Sequence, residues 1–253
     1  MGRGNGQGWV RRALVWLLLA WAGAGPVVAD ELRFAVGQTW APPFAQISEG
    51  RLQGGLMFEL MEQIAANAGA QARYTVLPAK RVDSALEQGE VDLHCLMSPA
   101  WFKTPIAAQR WSVPVLRIED WLTGKPGTPA VPLNLALQRQ AVVGLVLGYS
   151  YPQIDPFFKN GQLYREDAPT QERMLEKLAR GRTPYAVVNR LVIDDYNRGR
   201  PPDERLVPLQ PVESFTTHCL LSAHPRLAAP RILAAVRKLV DSGELKTILA
   251  RYR

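Results

Sequence analysis

Cysteine is scarce in this chain: Cys95 and Cys219 are the two present in 253 residues. Each follows a histidine, in L-H-C-L and T-H-C-L. Neighbouring side chains on a strand point to opposite faces, so the two pairs are poorly placed to share a four-ligand metal site, and no metal or cofactor is expected. Blocks of Lys and Arg are also missing, as is any interleaving of basic and aromatic residues, which excludes a nucleic-acid groove. No internal repeat is visible. Beyond residue 29 no apolar run reaches the length of a membrane span. Asp83 and Glu87 share one helix face as solvated carboxylates, and His224 precedes a proline in a turn. No acid–base constellation emerges from these residues, so no catalytic residue is assigned.

What is present begins with an export signal. Arg3, Arg11 and Arg12 form a basic start, Ala13 to Trp21 is an apolar run, and Val27-Val28-Ala29 offers a cleavage site. Residues 1–29 are thus read as a signal peptide, with no cysteine beside the cut for a lipid anchor. Removing 29 of 253 residues leaves 224. Three of the 30 basic residues and none of the 23 acidic ones lie within residues 1–29, so the overall +7 becomes +4. The expectation is an exported, periplasmic, monomeric protein with a sizeable core.

The pattern then alternates. Leu32 to Val36 reads as a strand, and Gly37 to Gln46 as a loop with Trp40, Pro42, Pro43 and Phe44. Leu56, Met57, Leu60, Met61 and Ile64 mark a helix, and Ala72 to Leu77 a strand. Val82, Ala85 and Leu86 mark a second helix, stopped at Gly89. Val91 to Met97 is a buried strand ended by Ser98-Pro99. Strands alternating with helices imply a mostly parallel sheet with covered faces, and ligands collect at the carboxyl ends of such strands. Trp111 to Thr123 is an extended crossing, and the Pro/Gly-rich Lys125 to Pro132 is the best candidate boundary. A second set follows. Strands are expected at Ala141–Leu147, Gln162–Arg165 and Tyr185–Asn189. Helices are expected at Ile154–Phe158, Glu172–Arg180 and Leu191–Tyr196. Leu206 to Pro211 crosses back, Phe215 to Ser222 is a strand, and Leu227 to Val240 and Leu245 to Leu249 are closing helices.

This order resembles the periplasmic solute-binding proteins of the polar amino-acid transport type. The residues that carry the likeness are Pro43-Phe44, G-G-L-M-F-E-L-M-E-Q-I, A-L-E-Q-G-E-V-D-L, W-S-V-P at Trp111, L-G-Y-S at Leu147 and the C-terminal L-V-D-S-G-E-L-K-T-I-L-A-R-Y. The resemblance implies a two-lobed type II α/β fold. Lobe 1 would take residues 30–119 and 213–253, lobe 2 residues 120–212, with hinge crossings near 120 and 210. It also exposes two departures. The first-lobe arginine that grips a carboxylate in amino-acid binders has no counterpart at its spacing. Asn189 stands where the second lobe supplies an aspartate to the ammonium, and a neutral amide cannot balance that charge.

The expected ligand contacts are accordingly Trp40, Phe44, Arg81, Ser98, Trp101, Tyr149, Ser150 and Asn189. Arg81 is assigned the anion grip, with Arg110 and Arg190 as alternatives. Tyr149 and Ser150 belong to a turn whose N–H groups cradle an anion. Within the family fold, Cys95 and Cys219 fall on adjacent antiparallel strands, which points to a disulfide contributing roughly 4 kcal/mol; free thiols or a metal are the other readings. The function implied is closure on a small polar solute, anionic or amino-acid-like, for an ABC transporter permease. The alternatives are a ligand sensor or partner-binding protein without a transporter, and a dehydratase-like enzyme on the same scaffold.

Overall fold

The computed structural model describes residues 1, 2, 29–129 and 141–252. Residues 3–28 of the expected signal peptide and the end of the Pro/Gly-rich boundary lie outside the described residues. The chain from Glu31 to Arg253 forms one compact unit.

Ten strands and seven α-helices occur among the described residues. The first half runs β1 (Glu31–Gly37), β2 (Gln46–Ser48), β3 (Arg51–Gly54), α1 (Leu56–Asn67), β4 (Gln71–Leu77), α2 (Ala79–Glu87) and β5 (Leu93–Met97). β6 (Leu116–Gly124) crosses to β7 (Val142–Val146), α3 (Asp155–Lys159), β8 (Tyr164–Ala168), α4 (Gln171–Ala179), β9 (Tyr185–Asn189) and α5 (Arg190–Asn197). β10 (Val207–Leu221) returns, and α6 (Ala229–Asp241) and α7 (Glu244–Ala250) close the chain.

Eight strands form one sheet in the order β4-β1-β5-β10-β6-β9-β7-β8. The triplets β4-β1-β5 and β9-β7-β8 are parallel, while β10 and β6 pair antiparallel with each other and with the triplet beside them. Two parallel half-sheets are therefore joined through the two crossing strands. The expected crossing at Leu206–Pro211 and the expected strand at Phe215–Ser222 are a single strand, β10. Proline lacks an N–H, yet Pro208 and Pro211 are accommodated because the ladder slips beside each of them. The hairpin β2–β3, in a stretch too short to show a period of its own, pairs through Ile47 and Leu52.

The core follows the apolar periodicities. α1 buries Leu56, Met57, Leu60, Met61 and Ile64 in one cluster with Phe34 of β1 and Ile232, Val236 and Leu239 of α6. Each such side chain contributes about 1.5–3 kcal/mol when fully buried. The smaller core around β7 holds Leu122, Val143, Leu145, Ile154 and Val187. Gly144 in β7 is needed for close approach: a Cβ there would overlap Met174 Sδ of α4.

One buried ion pair ties the first half together. Asp92, fully buried, accepts from Arg33 Nη2 at 2.6 Å, Arg33 Nε at 3.0 Å, and the backbone N–H groups of Arg33 and Arg226. Both of its oxygens meet donors, the condition under which a buried charge is tolerated. Cys95 of β5 and Cys219 of β10 are joined as a disulfide. Both neighbouring histidines instead bond backbone carbonyls: His94 Nδ1 lies 2.8 Å from Ala35 O and His218 Nδ1 2.8 Å from Ser112 O. No group of His, Cys, Asp and Glu suited to a metal occurs among the described residues. Nor is any helix among them long and apolar enough to cross a membrane.

Candidate functional site

A cavity of about 250 Å³ opens where the two half-sheets meet the crossing strands. Three layers of the chain build it. The first half contributes the loop after β1 (Gly37, Thr39, Trp40, Phe44), α2 (Ala79, Val82, Asp83), the end of β5, and Trp101 and Phe102. The second contributes Gly148, Tyr149 and Ser150 after β7, Gln171 at the start of α4, and Asn189 at the end of β9. Ile118 and Asp120 of β6 and Phe215 of β10 form its floor between them.

Local backbone geometry sets several of these positions. A Cβ on Gly37 would come within 2.8 Å of Trp40 Nε1, so the missing side chain is what lets the indole lie across the strand end. That indole stacks on His94, with centroids 5.2 Å apart and 18° between planes. Strand alternation sends His94 and Leu96 to one face. Leu96 has φ 62°, in the left-handed region, and this break in the pleat brings Met97 to the cavity as well. The turn at Gly148 (φ 84°) is held from behind by Arg165, whose Nη2 donates to Val146 O at 3.0 Å. Thr39 Oγ1 donates to Tyr149 Oη at 2.9 Å, linking the two halves across the cavity.

Six of the eight expected contacts line this space: Trp40, Phe44, Trp101, Tyr149, Ser150 and Asn189. Their polar groups, however, are largely engaged. Asn189 is the N-cap of α5: its Oδ1 accepts from Leu191 N at 3.1 Å and its Nδ2 donates to Asp120 Oδ1 at 3.3 Å. Gln171 Oε1 accepts from Asn189 N. Ser150 Oγ donates to Asp155. Trp101 Nε1 is buried without an acceptor.

Arg81 and Ser98 do not line the cavity. α2 turns Ala79 and Val82 inward, with the exposed Asp83 at the cavity edge, and at about 100° per residue Arg81 then faces outward. It is 57% exposed and lies 3.4 Å from Glu90. Ser98 is buried, and its carbonyl accepts from Trp101 N in a single 3₁₀ turn. The alternative arginines are also engaged elsewhere. Arg190 pairs with Asp194 and lies over the Trp121 ring. Arg110 bonds Glu87 and the Leu221 carbonyl beside a second cavity of about 400 Å³.

The residue that sequence reasoning missed is Asp120. A usable signal was there: Leu116, Ile118 and Leu122 alternate along β6, and Asp120 occupies the same face, a charge in an apolar series. Burial pushes the Asp120 carboxyl up to about 6, against the hydrogen bond from Asn189. Glu213, its cross-strand partner on β10, is pushed up to about 7 by burial, countered by a bond from Gln153 N–H and reinforced by the charges of Asp120 and Asp155. Tyr149 rises to about 12, chiefly through burial, countered by the Thr39 bond and reinforced by the Asp120 charge. Burial lowers His94 to about 4, against the pull of the Ala35 carbonyl. The ring is therefore neutral at pH 7. Since a carbonyl can only accept, Nδ1 carries the proton and Nε2 is left as an acceptor.

No protein-family model matches this sequence, and no curated protein does. Solved structures do. The chain has the two-lobed α/β fold of the periplasmic solute-binding proteins. It is similar to an ancestral arginine-binding protein bound to arginine, at TM-score 0.71 and 18% identity over 88% of this chain and 98% of that one. It is similar to the substrate-binding protein of an amino-acid ABC transporter, at TM-score 0.66 and 15% identity over 88% and 98%. A histidine kinase sensor domain with similarity to periplasmic binding proteins matches at TM-score 0.70 and 19% identity over 88% and 96%.

Proposed function

We propose that this protein is a solute-binding protein that closes its two lobes on one small organic molecule and presents it to an ABC transporter in the membrane. The observation that carries the reading is the cavity itself. It is built jointly by the Trp40 loop and the Tyr149 turn, which come from opposite halves, over a floor supplied by the crossing strands. A ligand held there touches both halves and stabilises their approach, with hinge motion at β6 and β10 near residues 120 and 210. The lobes are residues 30–119 with 213–253, and 120–212. Residues 1–29, read as a cleaved signal peptide, support a periplasmic location.

A binder accounts for the site better than an enzyme does. Asp120 has a shifted pKa, but its hydrogen-bond partner is the Asn189 amide, which takes no proton. The same fold in a substrate-binding protein and in a sensor domain supports binding as the common element, with delivery or signalling set by what receives the closed form.

The test is to refold the protein from guanidinium, screen small solutes by thermal unfolding, and follow hits by small-angle scattering. A ligand at about 100 times its Kd adds about 2.7 kcal/mol to the folded state. The expected result is a saturable rise in Tm with a smaller radius of gyration. A panel of amino acids, amines, carboxylates, sugars and phosphates that yields neither would overturn the reading.

A further inference from the structure

The cavity contains charge of one sign. Asp120 lies on its floor, Asp83 is an exposed carboxylate at its edge midway along α2, and no lysine or arginine lines it among the described residues. Arg165 sits behind the Gly148 turn, where its guanidinium is taken up by Asp155 and Asp167. The remaining polar groups offer acceptors: the Nε2 edge of neutral His94, and the Asp120 oxygen not used by Asn189. The Trp101 indole N–H is a buried donor without an acceptor, but a neutral donor does not balance a carboxylate. The walls are aromatic, from Trp40, Phe44, Trp101, Phe102, Tyr149 and Phe215.

Accepting that the cavity is the solute site, we infer that its ligand is an organic ammonium ion, and not the anionic solute that an inward-facing Arg81 would have served. A carboxylate facing a cavity without a counter-charge is under-compensated, and an arriving cation supplies what is missing. The negative faces of indole and phenol rings attract the same charge, more strongly once water has left. A carboxylate or phosphate would instead meet Asp120 at close range with no cation to offset the repulsion. A free α-amino acid is handicapped for the same reason: its ammonium is served and its carboxylate is not.

Isothermal titration of the refolded protein with putrescine, choline, succinate, glutamate and inorganic phosphate distinguishes these classes without any substitution. Putrescine or choline should bind and the three anions should not. Asp120→Asn, which keeps shape and removes charge, should weaken ammonium binding at least roughly tenfold, as loss of a partly buried charge partner does, while Arg81→Ala leaves it unchanged. Circular dichroism confirms that each variant is folded. Binding of the anions alone, or ammonium binding undiminished in a folded Asp120→Asn protein, overturns the inference yet keeps the solute-binding reading. Binding of none of the five overturns the inference, and only the broader panel with scattering decides whether the solute-binding reading falls with it.

Discussion

At the scale of single residues, Asp120 carries the most consequence, and pH reads it out. Its folded pKa of about 6 lies above the ordinary 3.8, so between those values the folded state holds more proton than the unfolded one. Stability linked to this group is therefore greatest below about pH 4 and declines as pH rises to about 6. The groups facing it are Asn189 from β9, Tyr149 and Tyr151 from the turn after β7, and Glu213 from β10. None of them offers a positive charge. The expected outcome is that Asp120→Asn becomes progressively more stable relative to the unaltered protein as pH rises from about 4 to 6. Thermal denaturation of the pair at a series of pH values checks this. A constant gap across that range would show that Asp120 titrates normally.

At the scale of elements, the disulfide and the crossing strands invite the next prediction. Cys95 and Cys219 are 124 residues apart in sequence, and in the chain-entropy account a loop of that size removes about 5 kcal/mol of unfolded-state freedom. Replacing both with alanine should lower the unfolding free energy by about 2–5 kcal/mol in urea, with no further loss when reductant is added. A double variant as stable as the parent would place the bond outside the stabilising set.

Much of this layer is legible in sequence, because the apolar periods of helix and strand are imposed by burial. α1, α2, α4, β9 and α6 fall within a few residues of where Leu56–Ile64, Val82–Leu86, Glu172–Arg180, Tyr185–Asn189 and Leu227–Val240 put them. What failed was information of longer range. β10 reads as two pieces because Pro208 and Pro211 are local breakers, and only its pairing with both β5 and β6 makes it one strand. At the site, aromatics such as Trp40 and Trp101 are visible because loops at strand ends favour such roles. Arg81 illustrates the limit: one residue of helical phase decides whether a guanidinium enters a cleft or solvent, and its neighbours Val82 and Asp83 line the cavity while it does not.

For the whole molecule, the strand order has a consequence in time as well as in space. β5 has β1 on one side and finds its second sheet neighbour in β10, and β10 is made only after everything from β6 to α5 has been synthesised. α6, which seals α1 with Ile232, Val236 and Leu239, comes later still. A nascent chain emerging amino end first therefore carries an incomplete first half, with the β5 edge open and the α1 surface uncovered, until its final stretch arrives. An unpaired strand edge beside exposed leucine and methionine is a route to aggregation. A chain ended at Leu206 should accumulate as insoluble aggregate, whereas a soluble monomer of that length would show that the first half closes on its own. Cys95 likewise has no partner within the chain until residue 219 has been made. The last fifth of the chain thus decides when α1 and β5 can stop being sticky, and a chaperone that holds the chain open until then would serve this topology better than one that hastens early collapse.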